Sequence, residues 1–87
     1  MAEKKLIGKI THYFSKIGVA VVELSEDIAV GAKIRVEGAT TSFEQVIDSL
    51  EIENKKVETA TAGQSIGLKV KERVRLHDSV YKLMEAE

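Results

Sequence analysis

Eighty-seven residues, 44% hydrophobic and 31% charged, suit one small folded domain and leave no room for a second. The net charge of −1 averages two unlike parts: residues 1–54 hold six Lys/Arg against nine Asp/Glu, and residues 55–82 hold seven against three. With no Cys there is no disulfide, thiol nucleophile or thiolate metal site, and no P-loop, G-x-S-x-G or G-x-G-x-x-G motif occurs. From Leu6 to Phe14 the chain alternates, with Leu6, Gly8, Ile10, His12 and Phe14 on one face and Ile7, Lys9, Thr11 and Tyr13 on the other. A turn near Ser15-Lys16 leads into Ile17–Leu24, too rich in β-branched residues for a good helix, and the pair reads as a hairpin. Ile28–Gly31 reads as one helical turn or as a loop that tucks Ile28 and Val30 inward. Lys33–Glu37 alternates cleanly, with Ile34 and Val36 inward, and Gly38 ends it.

Residues 43–53 are ambiguous. Phe43, Val46, Ile47 and Leu50 fall at helical spacing, and as a strand the stretch needs a bulge near Ile47-Asp48 to switch its inward face. Asn54–Lys56 reads as a turn, Val57–Ala60 as a short extended piece and Thr61–Gln64 as a turn around Gly63. Ile66–Lys71 is a strand, Glu72–Leu76 continues or leaves it, and Val80–Met84 is the last strand, with Met84–Glu87 expected to fray. The pattern predicts an all-β antiparallel fold of six or seven strands over one domain, residues 1–87 with a core of about 6–84. A closed barrel is the form that best protects the sheet edges of so short a chain. Ile10, Val21, Ile34, Val36, Ile66, Leu68, Val80 and Leu83 are its expected core. No apolar run approaches the roughly 20 residues of a membrane span, and residues 1–5 show no secretory pattern, so a cytoplasmic location without membrane association is expected.

Three segments in fixed order add a resemblance. They are Gly18–Leu24 followed by Ile28–Gly38, then Val46–Ile52, then Val57–Val70 ending in a charged loop and Asp78-Ser79-Val80-Tyr81. This order resembles the β-barrel that follows the GTP-binding domain in translational GTPases of the elongation factor Tu and initiation factor 2 type, and most of all small translation elongation factor-like proteins. It is also similar to a C-terminal barrel of some collagenase-like peptidases, and the V-K-E-R-V-R-x-x-D-x-V-Y-K ending and the G-A-T-T-x-F loop are what suggest this subgroup. The resemblance implies a closed translation-factor barrel in which residues 43–53 form one long strand. The chain departs from that pattern in three places. Ala32 stands where an Asp is usual, Asn54-Lys55-Lys56 lacks the Asp of a guanine-reading motif, and His77-Asp78-Ser79 replaces a Gly. No GTP binding is implied.

The main candidate site is cationic. In an extended chain Lys69, Lys71, Arg73 and Arg75 share one face, able to follow a phosphate backbone or simply to keep an outer strand solvated. Thr40 and Thr41 are loop residues that could add phosphate contacts or only local hydrogen bonds. Gly31, Gly63 and Gly67 read as turn or packing glycines, and His12 and His77 lack further ligands at metal spacing. Neither a metal nor a cofactor is expected. The resemblance and the basic half together imply a non-enzymatic module that binds RNA or the ribosome in translation. The alternative is a protein-interaction or substrate-positioning barrel like that of the collagenase-like peptidases. A contiguous basic face would favour the first and an exposed apolar groove the second.

Overall fold

The computed structural model describes residues 2–85. It is all-β and antiparallel. The described residues form ten strands: β1 Ala2–Phe14, β2 Val19–Leu24, β3 Ile28–Ala29, β4 Lys33–Glu37, β5 Ser42–Val46, β6 Leu50–Ile52, β7 Lys55–Val57, β8 Thr59–Ala60, β9 Ser65–Lys69 and β10 Ser79–Glu85. Eight of them form one sheet in the order β5-β4-β10-β1-β2-β9-β6-β7, and β3 pairs with β8. Among the described residues no helix is long and apolar enough to cross a membrane. β10 continues through Met84 to Glu85, where fraying was expected; Ala86 and Glu87 lie outside the described residues.

The expected closed barrel of six or seven strands needs correction. β5 and β7 end the sheet, and no strand pairing joins them among the described residues. The sheet nevertheless curls. The Gln45 amide on β5 donates to Lys69 O at 2.8 Å and its oxygen accepts from Lys71 N at 2.9 Å, so β5 meets the end of β9 across the fold. One side-chain amide thus supplies the donor and acceptor that a backbone ladder would have used.

β1 makes the curl possible. Its first half pairs with β10 and its second with β2, and the register slips between Leu6 and Gly8 and again between Ile10 and His12. Each bulge bends the strand and resets which side chains point inward. Ile7 and Ile10 are buried and Tyr13 packs on the core, while Leu6 and Phe14 are exposed. Gly8 lies at the bend, where a methyl group would sit 2.6 Å from Glu23 O and 2.7 Å from Val22 Cγ1.

The core is Ile7, Ile10, Val22, Leu24, Ile34, Val36, Phe43, Ile47, Leu50, Ile66, Leu68, Val74 and Val80, with smaller neighbours. Two expected members are corrected. β2 turns Ala20, Val22 and Leu24 inward, which leaves Val21 half-buried on the outer face, and Leu83 is also only half-buried. Residues 43–53 are two strands with a break at 47–49, neither a helix nor one long strand. The break swings Ile47 into the core and leaves Val46 exposed. Ile28 is buried in β3, while Val30 points out. The turn between β6 and β7 is Glu53-Asn54, both left-handed at φ 51° and 66°, one step before the expected Asn54–Lys56.

The outer face of β4 carries an ion-pair network. Glu37 accepts from Lys4 Nζ at 2.6 Å and from Arg35 Nε at 2.9 Å, and Arg35 Nη1 reaches Glu44 at 2.9 Å. The hydrogen bond from Lys4, with that from Arg35, holds the Glu37 carboxyl below the ordinary Glu range, and Glu44 raises Arg35 further. A lowered carboxyl pKa stabilises the fold above the unfolded Glu value, and that contribution disappears as pH falls through the folded value. The urea midpoint is therefore expected to fall through and below the ordinary carboxylate range, less steeply in Glu37→Gln. Parallel pH profiles for the two proteins would show that this network contributes no linkage.

Candidate functional site

The four predicted cations do not lie on one strand. β9 ends at Lys69, and Lys71, Arg73 and Arg75 sit in the loop that leads to β10. Val70 and Val74 are buried, so the loop is pinned at two apolar points, with Lys71 and Arg73 exposed between them and Arg75 exposed just beyond. Gln45 fixes the start of this loop. Its end is fixed by Asp78, 4% exposed, whose Oδ2 accepts the Arg75 N–H at 2.9 Å. None of the four cations is in a salt bridge among the described residues.

Thr40 and Thr41 lie in the β4–β5 turn. Thr40 is exposed; Thr41 is buried, and its carbonyl accepts Gly38 N–H at 2.8 Å. This turn meets the far end of the cationic loop, where Gly38 packs against the Asp78 carboxylate. The predicted residues thus belong to one region, with Lys69 and Lys71 beside Gln45 and Arg75 beside Asp78 and the turn. Lys69, Lys71, Gln45, Val46 and Asp48 also border a surface concavity of about 350 Å³. No three His, Asp or Glu side chains converge as a metal site among the described residues.

A second feature had no counterpart in the sequence reading. On the outer face of β2, β9 and β6, register sets Gly67 between Val21 on one side and Glu51 on the other. The missing side chain opens a trench along β9. Two concavities of about 220 and 270 Å³ share Ile17, Val19, Glu51 and Gly67. The apolar wall includes Ile17, 63% exposed, and Phe14, 45% exposed, whose ring lies 4.4 Å from that of His12. The facing wall is Glu51 and Glu53, and neither is in a salt bridge among the described residues.

The chain is similar to parts of longer proteins described as proteases. It is 39% identical over 80 residues to a protein of Methanocaldococcus jannaschii described as an uncharacterized protease, a match that covers 91% of this chain and 20% of that protein. It is 38% identical over 87 residues to a collagenase of Porphyromonas gingivalis, covering 98% of this chain and 24% of the collagenase. The relatives are proteases. The chain spans only about a fifth to a quarter of their length. No protein-family model matches it. The fold is shared with a solved C-terminal domain from Geobacillus thermoleovorans, described as that of a U32 peptidase. That domain has a TM-score of 0.84 at 22% identity, over 90% of this chain and 91% of that one.

These findings overturn the translation-factor assignment. The relatives are peptidases rather than translational GTPases, so the expected role in translation and the RNA-binding function fall with it. The expectation of a non-enzymatic module is corrected by the same matches, since the relatives are a protease and a collagenase. Two resemblances were read from shared strands and turns. Strand order and turn glycines recur across small curled sheets and do not separate one family from another. The charged ending and the Gly38–Phe43 loop suggested a subgroup of translation elongation factor-like proteins and collagenase-like peptidase barrels, and the relatives lie with the peptidases.

Proposed function

We propose that this chain is the polypeptide-docking module of a collagenase-like, U32-type peptidase, which holds protein substrate for a catalytic domain. The observation that carries the reading is the 38–39% identity to a protease and a collagenase over nearly the whole chain, which corresponds to only part of each. The exposed apolar groove of Phe14, Ile17, Val19 and Val21 supports it, because such a surface suits a polypeptide better than a phosphate backbone. In this reading the loop cations Lys69, Lys71, Arg73 and Arg75, with Thr40 and Thr41 at its far end, hold acidic side chains of the bound protein or of the catalytic domain.

The test is capture by the immobilised chain of denatured collagen and of total cellular RNA, each at low and moderate salt. Denatured collagen is expected to be retained at both salt concentrations and RNA to wash off. Retention of RNA without collagen would overturn the reading.

A further inference from the structure

Gly67 sits in the middle of β9, where the fold does not require a glycine. It is not in the left-handed region, and a methyl group built on it would lie 3.5 Å from Val19 Cγ1 and 3.7 Å from Glu51 Cβ, which are ordinary contacts. Glycine inside a strand often marks a bulge, a tight bend or the close approach of a ligand or another backbone, and β9 pairs with β2 with no register shift at Gly67. Gly8 differs, because any side chain there would collide with β2.

We propose that the trench over Gly67 binds an extended polypeptide segment, with an apolar side chain against Phe14, Ile17 and Val21 and a Lys or Arg against Glu51 and Glu53. The proposal rests on the docking reading above and names the site and the side-chain chemistry that it selects. The floor is made by the two smallest outward residues of β9, Ser65 and Gly67, which face Glu23 and Val21 across β2. From Ser65 to Lys69 the floor is roughly 13 Å long, room for about five extended residues. The exposed Ile17 and Phe14 side chains offer apolar area to bury. Glu51 and Glu53 lack cationic partners among the described residues, although Lys56 stands opposite Glu51 in register. This wall complements a basic side chain and repels phosphate. Lys69 and Lys56 border the other end, so the trench is polar along its length and would orient the segment.

The test is a titration of the ¹⁵N-labelled chain with two ten-residue peptides of alternating Leu and a charged residue, Lys in one and Glu in the other. The Lys peptide is expected to bind, with shift changes confined to residues 14–23, 51–54 and 65–69. Salt and Glu51→Gln/Glu53→Gln should each weaken it about tenfold. Gly67→Ala keeps the fold as a control, and Gly67→Leu fills the trench and abolishes binding. Ile17→Asp, at an exposed position, gives the same readout should Gly67→Leu not fold. Equal binding by wild type, Gly67→Leu and Ile17→Asp, preference for the Glu peptide, or shift changes confined to residues 69–75 would each overturn the proposal. Denatured collagen retained equally by wild type and Gly67→Leu would sink the trench and leave the docking reading standing. If wild type binds neither peptide nor collagen, both fail.

Discussion

Leu68→Ala is expected to destabilise the chain by roughly 2–5 kcal/mol, the range for a large side chain removed from a core that cannot collapse around the gap. Leu68 is 1% exposed and lies on β9 between Ala20 of β2 and Leu50 of β6, both fully buried. Ala20 is already small and backbone hydrogen bonds hold β9 on both sides, so little can move in to refill the space. In a domain of this size that is a large share of the total stability, which for small domains is roughly 5–15 kcal/mol. Val21→Ala, one strand over and facing outward, should cost under about 1 kcal/mol. Urea denaturation measures both, with an unchanged slope confirming that the unfolded reference is the same. A Leu68→Ala loss of only a few tenths, or a larger loss at Val21, would mean that β9 or β2 is turned the other way.

The facing of β4 and β9 was legible because charged or small residues alternate with Ile, Val and Leu, so only one face can be buried. β2 gave no such cue. Residues 19–22 are apolar on both faces, and the choice is made by register with β1, where the bulge after Ile10 sets Val22 opposite Ile10 and Val21 opposite His12. A bulge leaves no local mark in composition, so the inward set Ile7, Ile10 and Tyr13 departs from the two-residue period. The helix-like spacing of Phe43, Ile47 and Leu50 has the same kind of origin. All three are buried, but the spacing comes from two strands with a bend between them.

The site was legible only in part. Exposure of Lys69, Lys71, Arg73 and Arg75 followed from their charge, but their common strand did not survive, because Val70 and Val74 both enter the core and draw the chain into a loop. The trench could not be read at all. Its walls come from residues 14–21 and 51–54 and its floor from β9, and each looks like ordinary strand or turn material until register brings them together. Gly67 was the one local signal, and a glycine in a strand reads equally well as packing until its surroundings are known.

Gly38→Ala is expected to cost roughly 1–3 kcal/mol, as an extra methyl forced into filled space does. The Asp78 carboxylate occupies the position a side chain on residue 38 would take. The same carboxylate accepts the Arg75 N–H, and the Asp78 backbone joins β1 through Ile10 N–H to Asp78 O at 2.9 Å. His77, left-handed at φ 73°, donates its N–H to Ile10 O at 2.8 Å. The methyl must therefore displace a buried group that fastens both the cationic loop and the start of β10. Asp78→Ala alone should cost about 1–2 kcal/mol through the lost hydrogen bond. The two changes should not add. With the carboxylate gone the methyl meets open space, so Gly38→Ala in the Asp78→Ala background should cost only a few tenths, a coupling of about 1 kcal/mol or more between residues in contact. Urea midpoints of the four proteins in this cycle decide it. Strict additivity would show that the loop and the β4–β5 turn are held independently, and that Gly38 owes its identity to something other than Asp78.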